Sequence, residues 1–202
     1  MKQYTLILID WDDTLFPTSW VMKNKLDLSD PQVREKYKPL FSELDNVLNK
    51  FLTKITNIGK VIIVTNASES WINTSKKLLP YSSKIINKKI KVVSARDKYG
   101  HKKNVFSWKE LSFEDEVHGF FYHNKEVHNI VSIGDAEYEQ TALVKLDDWE
   151  KIVPEKRILK TIKLMDSPSY HNIVDQLNVL IECITNIVKK KRHMHLIFKN
   201  KK

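Results

Sequence analysis

Short apolar runs alternate with longer segments of helical periodicity along the chain. Residues 4–9 (YTLILI) are apolar without alternation, the pattern of a strand buried on both faces. In 31–58, Val33, Tyr37, Leu40, Phe41, Leu44, Val47, Leu48, Phe51, Leu52 and Ile55 recur every three or four residues, which draws one apolar stripe along a helix. Pro39 lies inside that stripe, at a point where a helix can break, and Gly59 is a stop just beyond it. Residues 61–64 (VIIV) form a second buried strand. Ser68 or Ser70 then caps a helix running to 79, ended by Pro80. The pattern continues with a strand at 90–93, a helix at 105–117, a strand at 130–133 (IVSI) and a helix at 137–146. A fifth strand at 158–164, a turn at Ser167-Pro168 and an amphipathic helix at 170–188 complete it. Strands alternating with helices predict an α/β class: a three-layer, Rossmann-like sandwich with a mainly parallel, five-stranded central sheet.

Composition narrows the function classes. The 202 residues suit one domain, with four glycines, no internal repeat and no Pro- or Gly-rich linker. The formal charge of +9 is concentrated: residues 189–202 hold seven Lys and Arg and no acid, leaving 27 basic against 25 acidic residues in 1–188. The expected organisation is therefore a nearly neutral domain, 1–188, and a basic tail, 189–202. A nucleic-acid-binding body is not favoured, and nucleic-acid contact is expected only through the tail. Lys189, Lys190, Lys191 and Arg192 form a run of the kind that serves nuclear import. The single cysteine, Cys183, allows neither an intramolecular disulfide nor a cysteine zinc site, which suits a reducing, intracellular compartment. No segment approaches the ~18 apolar residues of a membrane span, so no membrane role is expected. His118, His123 and His128, and the pair His193 and His195, do not have the i, i+4 spacing of a helical metal pair.

In an open parallel sheet, ligands sit beyond the carboxyl ends of the strands. The first strand leads into Asp10-Trp11-Asp12-Asp13-Thr14, the second into Thr65-Asn66, and the fourth into Gly134-Asp135-Ala136-Glu137-Tyr138-Glu139. Acids and a hydroxyl thus gather where the fold puts its ligand. A carboxylate repels a phosphate dianion, so chemistry between them needs a cation. Mg²⁺ takes oxygen ligands and uses one or two carboxylates together with the substrate. With the metal keeping one acid ionised, the other can carry a proton, which lets paired carboxylates serve as nucleophile and acid together.

These motifs, ILIDWDDTL, VIIVTN and SIGDAEYE, resemble those of the haloacid dehalogenase (HAD) superfamily of Mg²⁺-dependent phosphatases, over residues 4–139. The stretch SARDKYG, WKEL and SIGDAEYE is similar to a group of small proteins in that superfamily whose third-motif lysine follows a Trp, which points to Lys109 over Lys98, Lys102 and Lys103. The resemblance implies that Asp10 attacks phosphorus and becomes an aspartyl-phosphate. Asp12 then acts as general acid and afterwards as base. Thr65 and the Asn66 main-chain N–H hold phosphoryl oxygens, and Lys109 neutralises charge on Asp10 and the phosphate. Mg²⁺ is bound by Asp10, the Asp12 carbonyl and Asp135. Glu139 departs from the commoner Asp, so its contact with the metal passes through water, or Glu137 takes the role. The gaps from Thr14 to Thr65 and from Asn66 to Lys109 are mostly used by core elements, which implies a minimal cap around 15–30. Asp13 is expected on the surface of the turn and Thr14 within it, while Trp11 and Trp20 flank the mouth, where core packing or a rim position is expected over stacking on a substrate.

The expected function is a Mg²⁺-dependent phosphomonoesterase acting on a small-molecule or macromolecular phosphate, with a second subunit able to close the open site. The alternatives are phosphoryl transfer to an acceptor other than water on the same site, a non-catalytic binding module of this fold, and a nucleic-acid-associated protein acting through its tail.

Overall fold

The computed structural model describes residues 4–102, 104–123, 127–146 and 157–199. Its strands are β1 (Tyr4–Ile9), β2 (Lys60–Thr65), β3 (Lys91–Ser94), β4 (Val127–Gly134), β5 (Ile158–Lys163) and β6 (Met194–Ile197). They form one sheet in the order β3-β2-β1-β4-β5-β6, and every neighbouring pair is parallel. Leu8 stands opposite Ile62 on one side and Ser132 on the other. The order reverses between β1 and β4, which opens a crevice beyond their carboxyl ends.

The helices are α1 (Thr18–Lys23), α2 (Pro31–Ile58), α3 (Glu69–Lys76), α4 (Pro80–Lys89), α5 (Ala95–Tyr99), α6 (Val105–His123), α7 (Glu137–Lys145) and α8 (Tyr170–Lys189). They cover both faces of the sheet, as the period of two along each strand requires. On one face Ile7, Ile9, Val131 and Ile133 pack with Leu48, Phe51 and Leu52 of α2 and Leu177, Leu180 and Ile184 of α8. On the other, Leu6, Leu8, Ile62 and Ile130 pack with Phe113 and Val117 of α6 and Leu143 of α7. The α/β, Rossmann-like architecture is as expected.

The sheet has six strands, not five. The extra strand lies within the segment expected to be a basic tail. Met194, Leu196 and Phe198 alternate there and pack against the α2–α8 core, while β6 pairs with β5 through Lys160 opposite Met194 and Ile162 opposite Leu196. Dense positive charge around these residues hides a period of two that is only five residues long.

Other differences have local causes. The helix over 31–58 is continuous through Pro39, which lies on the exposed face, where the carbonyl freed by the missing N–H can reach water. The expected helix to 79 ends at Lys76, and a further helix, α4, follows where none was expected. Ser68 caps the first by accepting from Trp71 N at 3.2 Å, and Pro80 opens the second instead of only ending the first. Asp45 of α2 caps α4, accepting from Tyr81 N and Ser82 N at 2.8 Å each. Gly59 is required by close approach, since a Cβ there would stand 2.6 Å from the Thr5 carbonyl. Lys160, fully buried in β5, donates to Asn129 Oδ1 at 2.5 Å and to the Val188 carbonyl at the end of α8 at 2.9 Å. Among the described residues, no helix is long and apolar enough to cross a membrane.

Candidate active site

Asp10 follows β1 directly and continues its pairing with β4, donating its N–H to the Ile133 carbonyl at 2.9 Å. Its carboxyl therefore enters the crevice at the reversal of strand order. The chain then turns sharply: the Trp11 carbonyl accepts from Leu15 N at 2.9 Å and Phe16 N at 3.0 Å. Asp13 makes the turn in the left-handed region, at φ 54°, where Asp is one of the tolerated side chains. It is buried, not on the surface as expected, because its carboxyl accepts from both the N–H and the hydroxyl of Ser19 at the start of α1. Thr14 is also buried in the turn, with its N–H 3.4 Å from the Trp11 carbonyl.

Lys109, on α6, is the lysine that reaches Asp10. It is fully buried, and its ammonium donates to Asp10 Oδ1 at 2.6 Å and the Val64 carbonyl at 2.6 Å, with Glu139 Oε1 at 2.9 Å. Two of its N–H groups have hydrogen-bond acceptors, and Glu139 Oε1 adds the charge of an ion pair. Burial alone pulls its pKa down, but Asp10 and Glu139 outweigh that and hold it above the ordinary lysine value. Lys98 pairs with Asp115 on the surface, and Lys102 is exposed; Lys103 lies outside the described residues.

Glu139 belongs to the Lys109 contact. Its Oε2 also accepts from Ala136 N at 3.2 Å, at the start of α7, while Oε1 faces Lys109 as an ion pair. Burial raises its pKa and Lys109 opposes the rise. The side chain lies so close to Gly134 that a Cβ there would stand 2.5 Å from Glu139 Cγ. Glu137 is exposed on the first turn of α7 and does not join the cluster.

Asp12 leaves the turn on the other side. Its Oδ1 accepts from Trp71 Nε1 at 2.9 Å and from the Thr18 hydroxyl. Burial, followed by the charge of Asp10, pushes Asp12 up to about 6, against the lowering effect of both donors. Asp135, at the end of β4, is pushed up to about 8, first by burial and then by Asp10 and Glu139. The Thr65 hydroxyl, fully buried at the end of β2, accepts from Ala67 N at 3.1 Å and keeps its own proton to donate. Asn66 follows it, with its side-chain Oδ1 buried and without a hydrogen-bond partner.

Trp11 and Trp20 take the packing role expected over stacking on a substrate. Trp11 is fully buried, donating to Ser75 Oγ at 3.0 Å, and Trp20 packs among Tyr37, Phe41 and Tyr170. Two aromatics not anticipated from sequence lie at the site. Trp71 bonds Asp12, and the Tyr138 ring lies 5.5 Å from the Lys109 ammonium. Trp71 falls one turn into the helix after Thr65-Asn66, and Tyr138 falls within the Gly134–Glu139 motif; those positions were the available signals.

Asp10 and Glu139 thus meet one buried ammonium, while Asp12 and Asp135 feel the charge of Asp10 with no cation of the described residues among their main influences, an excess of negative charge. Among the described residues, no three His, Cys, Asp or Glu side chains are arranged to hold a metal ion between them. The donor set that remains is two carboxylates, Asp10 and Asp135, and the Asp12 carbonyl. That set fits Mg²⁺, which completes its shell with water and substrate oxygens. Burial first, and then the charges of Asp10 and Glu139, push Asp135 up, and a divalent cation would offset both. Compared with family models, curated proteins and solved structures, the chain matches none of them.

Proposed function

We propose that the protein is a HAD-like, Mg²⁺-dependent phosphomonoesterase that works through an aspartyl-phosphate on Asp10. The observation that carries this reading is the pairing of Asp10 with the buried Lys109 at 2.6 Å, beside an Asp12 held apart on its own donors. Two neighbouring acids in distinct environments suit distinct roles.

Asp10 has one carboxyl oxygen on Lys109, and its other oxygen attacks phosphorus as the bond to the leaving oxygen breaks. Asp12 gives that oxygen a proton. It then takes a proton from the water that attacks the aspartyl-phosphate, and the bond from phosphorus to Asp10 breaks to release phosphate and restore the carboxylate. A pKa near 6 lets Asp12 exist in both forms close to neutrality, as one group serving as acid and base requires. The Thr65 hydroxyl and the Asn66 main-chain N–H bind phosphoryl oxygens. Lys109 acts through its field, fixed by its bonds to Asp10 and the Val64 carbonyl and its ion pair with Glu139. Mg²⁺, held by Asp10, Asp135 and the Asp12 carbonyl, would offset the charge between carboxylate and phosphate. The chain between β1 and α2 carries the six-residue α1 as its helix, which agrees with a minimal cap and an open site.

The test is release of phosphate from 4-nitrophenyl phosphate at pH 5–8, with and without Mg²⁺. Asp10→Asn should lose at least about 10³-fold of the Mg²⁺-dependent rate, the scale of losing the attacking group. Asp12→Asn should lose about 10²–10⁴-fold in turnover, the usual contribution of a general base, here the one that activates water against the aspartyl-phosphate. Full turnover by Asp10→Asn would overturn the reading, as would a wild type inert towards this ester and a panel of natural phosphate esters.

A further inference from the structure

We infer that Trp71 and Thr18 are positioning residues that fix which oxygen of Asp12 delivers the proton to the leaving group. This rests on the phosphatase reading of the site.

Both donors converge on one oxygen. The Trp71 indole N–H lies 2.9 Å from Asp12 Oδ1, the Thr18 hydroxyl donates to the same atom, and the indole nitrogen is 3.2 Å from Thr18 Oγ1. They come from different elements, α3 and α1, so they approach the carboxyl from two separate pieces of the chain. With the indole N–H and the Thr18 hydroxyl both turned to donate to Oδ1, that oxygen is filled as an acceptor and the open oxygen is Oδ2. The proton therefore resides on Oδ2.

The indole is itself held. Its ring meets Phe16 edge-on at 5.9 Å, and Phe16 is stacked between Trp11 at 6.1 Å and Phe41 at 5.9 Å. Phe41 belongs to α2, so this row ties Trp71 to the longest helix. Nothing in the reaction requires Trp71 or Thr18 to touch phosphate, nucleophile or metal. They act through Asp12, by keeping Oδ2 aimed at one place.

Positioned protonation matters in proportion to the basicity of the leaving oxygen. An alkoxide needs the proton as the phosphorus–oxygen bond breaks, whereas 4-nitrophenolate departs nearly unaided. The full chain with Mg²⁺ is assayed on glycerol 2-phosphate and 4-nitrophenyl phosphate, for wild type, Trp71→Phe, Thr18→Val and Thr18→Ser. The inference expects the alkyl-to-aryl ratio of kcat/KM to fall at least tenfold in Trp71→Phe and Thr18→Val, mainly through kcat. Thr18→Ser, which keeps the hydroxyl, should restore it. Equal losses on both esters would mean a purely structural role and would overturn the inference while leaving the phosphatase reading intact. A wild type that turns over neither ester counts against the phosphatase reading itself and removes the role assigned to Trp71. A spectrum at fixed pH checks the bond independently of turnover. The indole N–H resonance absent from Trp71→Phe should move in Asp12→Asn and in Thr18→Val; a resonance that stays in place overturns the inference whatever the kinetics.

Discussion

Lys109 and Asp135 show how a side chain takes its chemical character from its surroundings. Lys109 is one of many lysines, yet it is buried against two carboxylates and the Val64 carbonyl, and its charge is required there because Asp10 and Glu139 would otherwise face each other across a site of low polarity. Asp135, whose carboxyl forms no ion pair with a lysine or arginine among the described residues, is pushed up to about 8, and Asp12 up to about 6. Unfolded, both return to about 4. In metal-free protein the folded state thus keeps protons that the unfolded chain has released. Their contribution to stability is fully present below pH 4 and is lost as pH rises through 6 and then 8. In chelator, Tm should fall between pH 5 and pH 8.5, and less steeply in Asp135→Asn. Mg²⁺ should raise the wild-type Tm at pH 8.5 by about 4 °C or more and have a smaller effect at pH 5. Equal metal effects at both pH values would contradict this account of the carboxylates.

Among the elements, the caps decide where helices start. Ser68 and Ser169 are hydroxyl caps at visible N-termini, and Ser169 forms a capping box with Asn172. The cap of α4 comes from another helix: Asp45, buried on α2, accepts from two successive N–H groups. Pro80 reads in sequence as a helix stop, and the carboxylate that makes it a helix start lies 35 residues earlier in the chain. Replacing Asp45 leaves two donors unpaired inside the protein, whereas replacing Ser68 frees one at its edge. Asp45→Ala should therefore cost about 2–4 kcal/mol, against about 1 kcal/mol for Ser68→Ala. Urea unfolding midpoints of the two variants check this, and equal costs would show that the α2–α4 contact does not depend on the cap.

The whole molecule closes on a segment whose composition disguises it. The last fourteen residues are basic enough to resemble a solvated tail, yet β6 pairs with β5, and Met194, Leu196 and Phe198 cover the α2–α8 core. Ending the chain after Lys189 should lower Tm by about 5 °C or more, the scale of losing a kilocalorie or two of burial in a domain of this size. Replacing Lys190, Lys191 and Arg192 with Ser should leave Tm within about 1 °C, because exposed charges contribute little. Similar losses in both variants would assign the stabilisation to charge and not to the strand.

The period of hydrophobic residues was enough to predict five parallel strands, the longer helices α2, α6 and α8 with α3 and α7, and the strand-end positions of Asp10, Asp12, Thr65 and Asp135, but not α1, α4 or α5. Those features follow from backbone geometry, which repeats every two or 3.6 residues and leaves its mark locally. Contacts between distant parts of the chain leave no such mark. That Lys109 rather than another lysine meets Asp10, that Glu139 turns to Lys109, that Trp71 reaches Asp12 and that Asp45 starts α4 were all decided by how the layers pack. Each depends on two segments brought together in space, and burial then sets the charge and hydrogen bonding of the groups that meet.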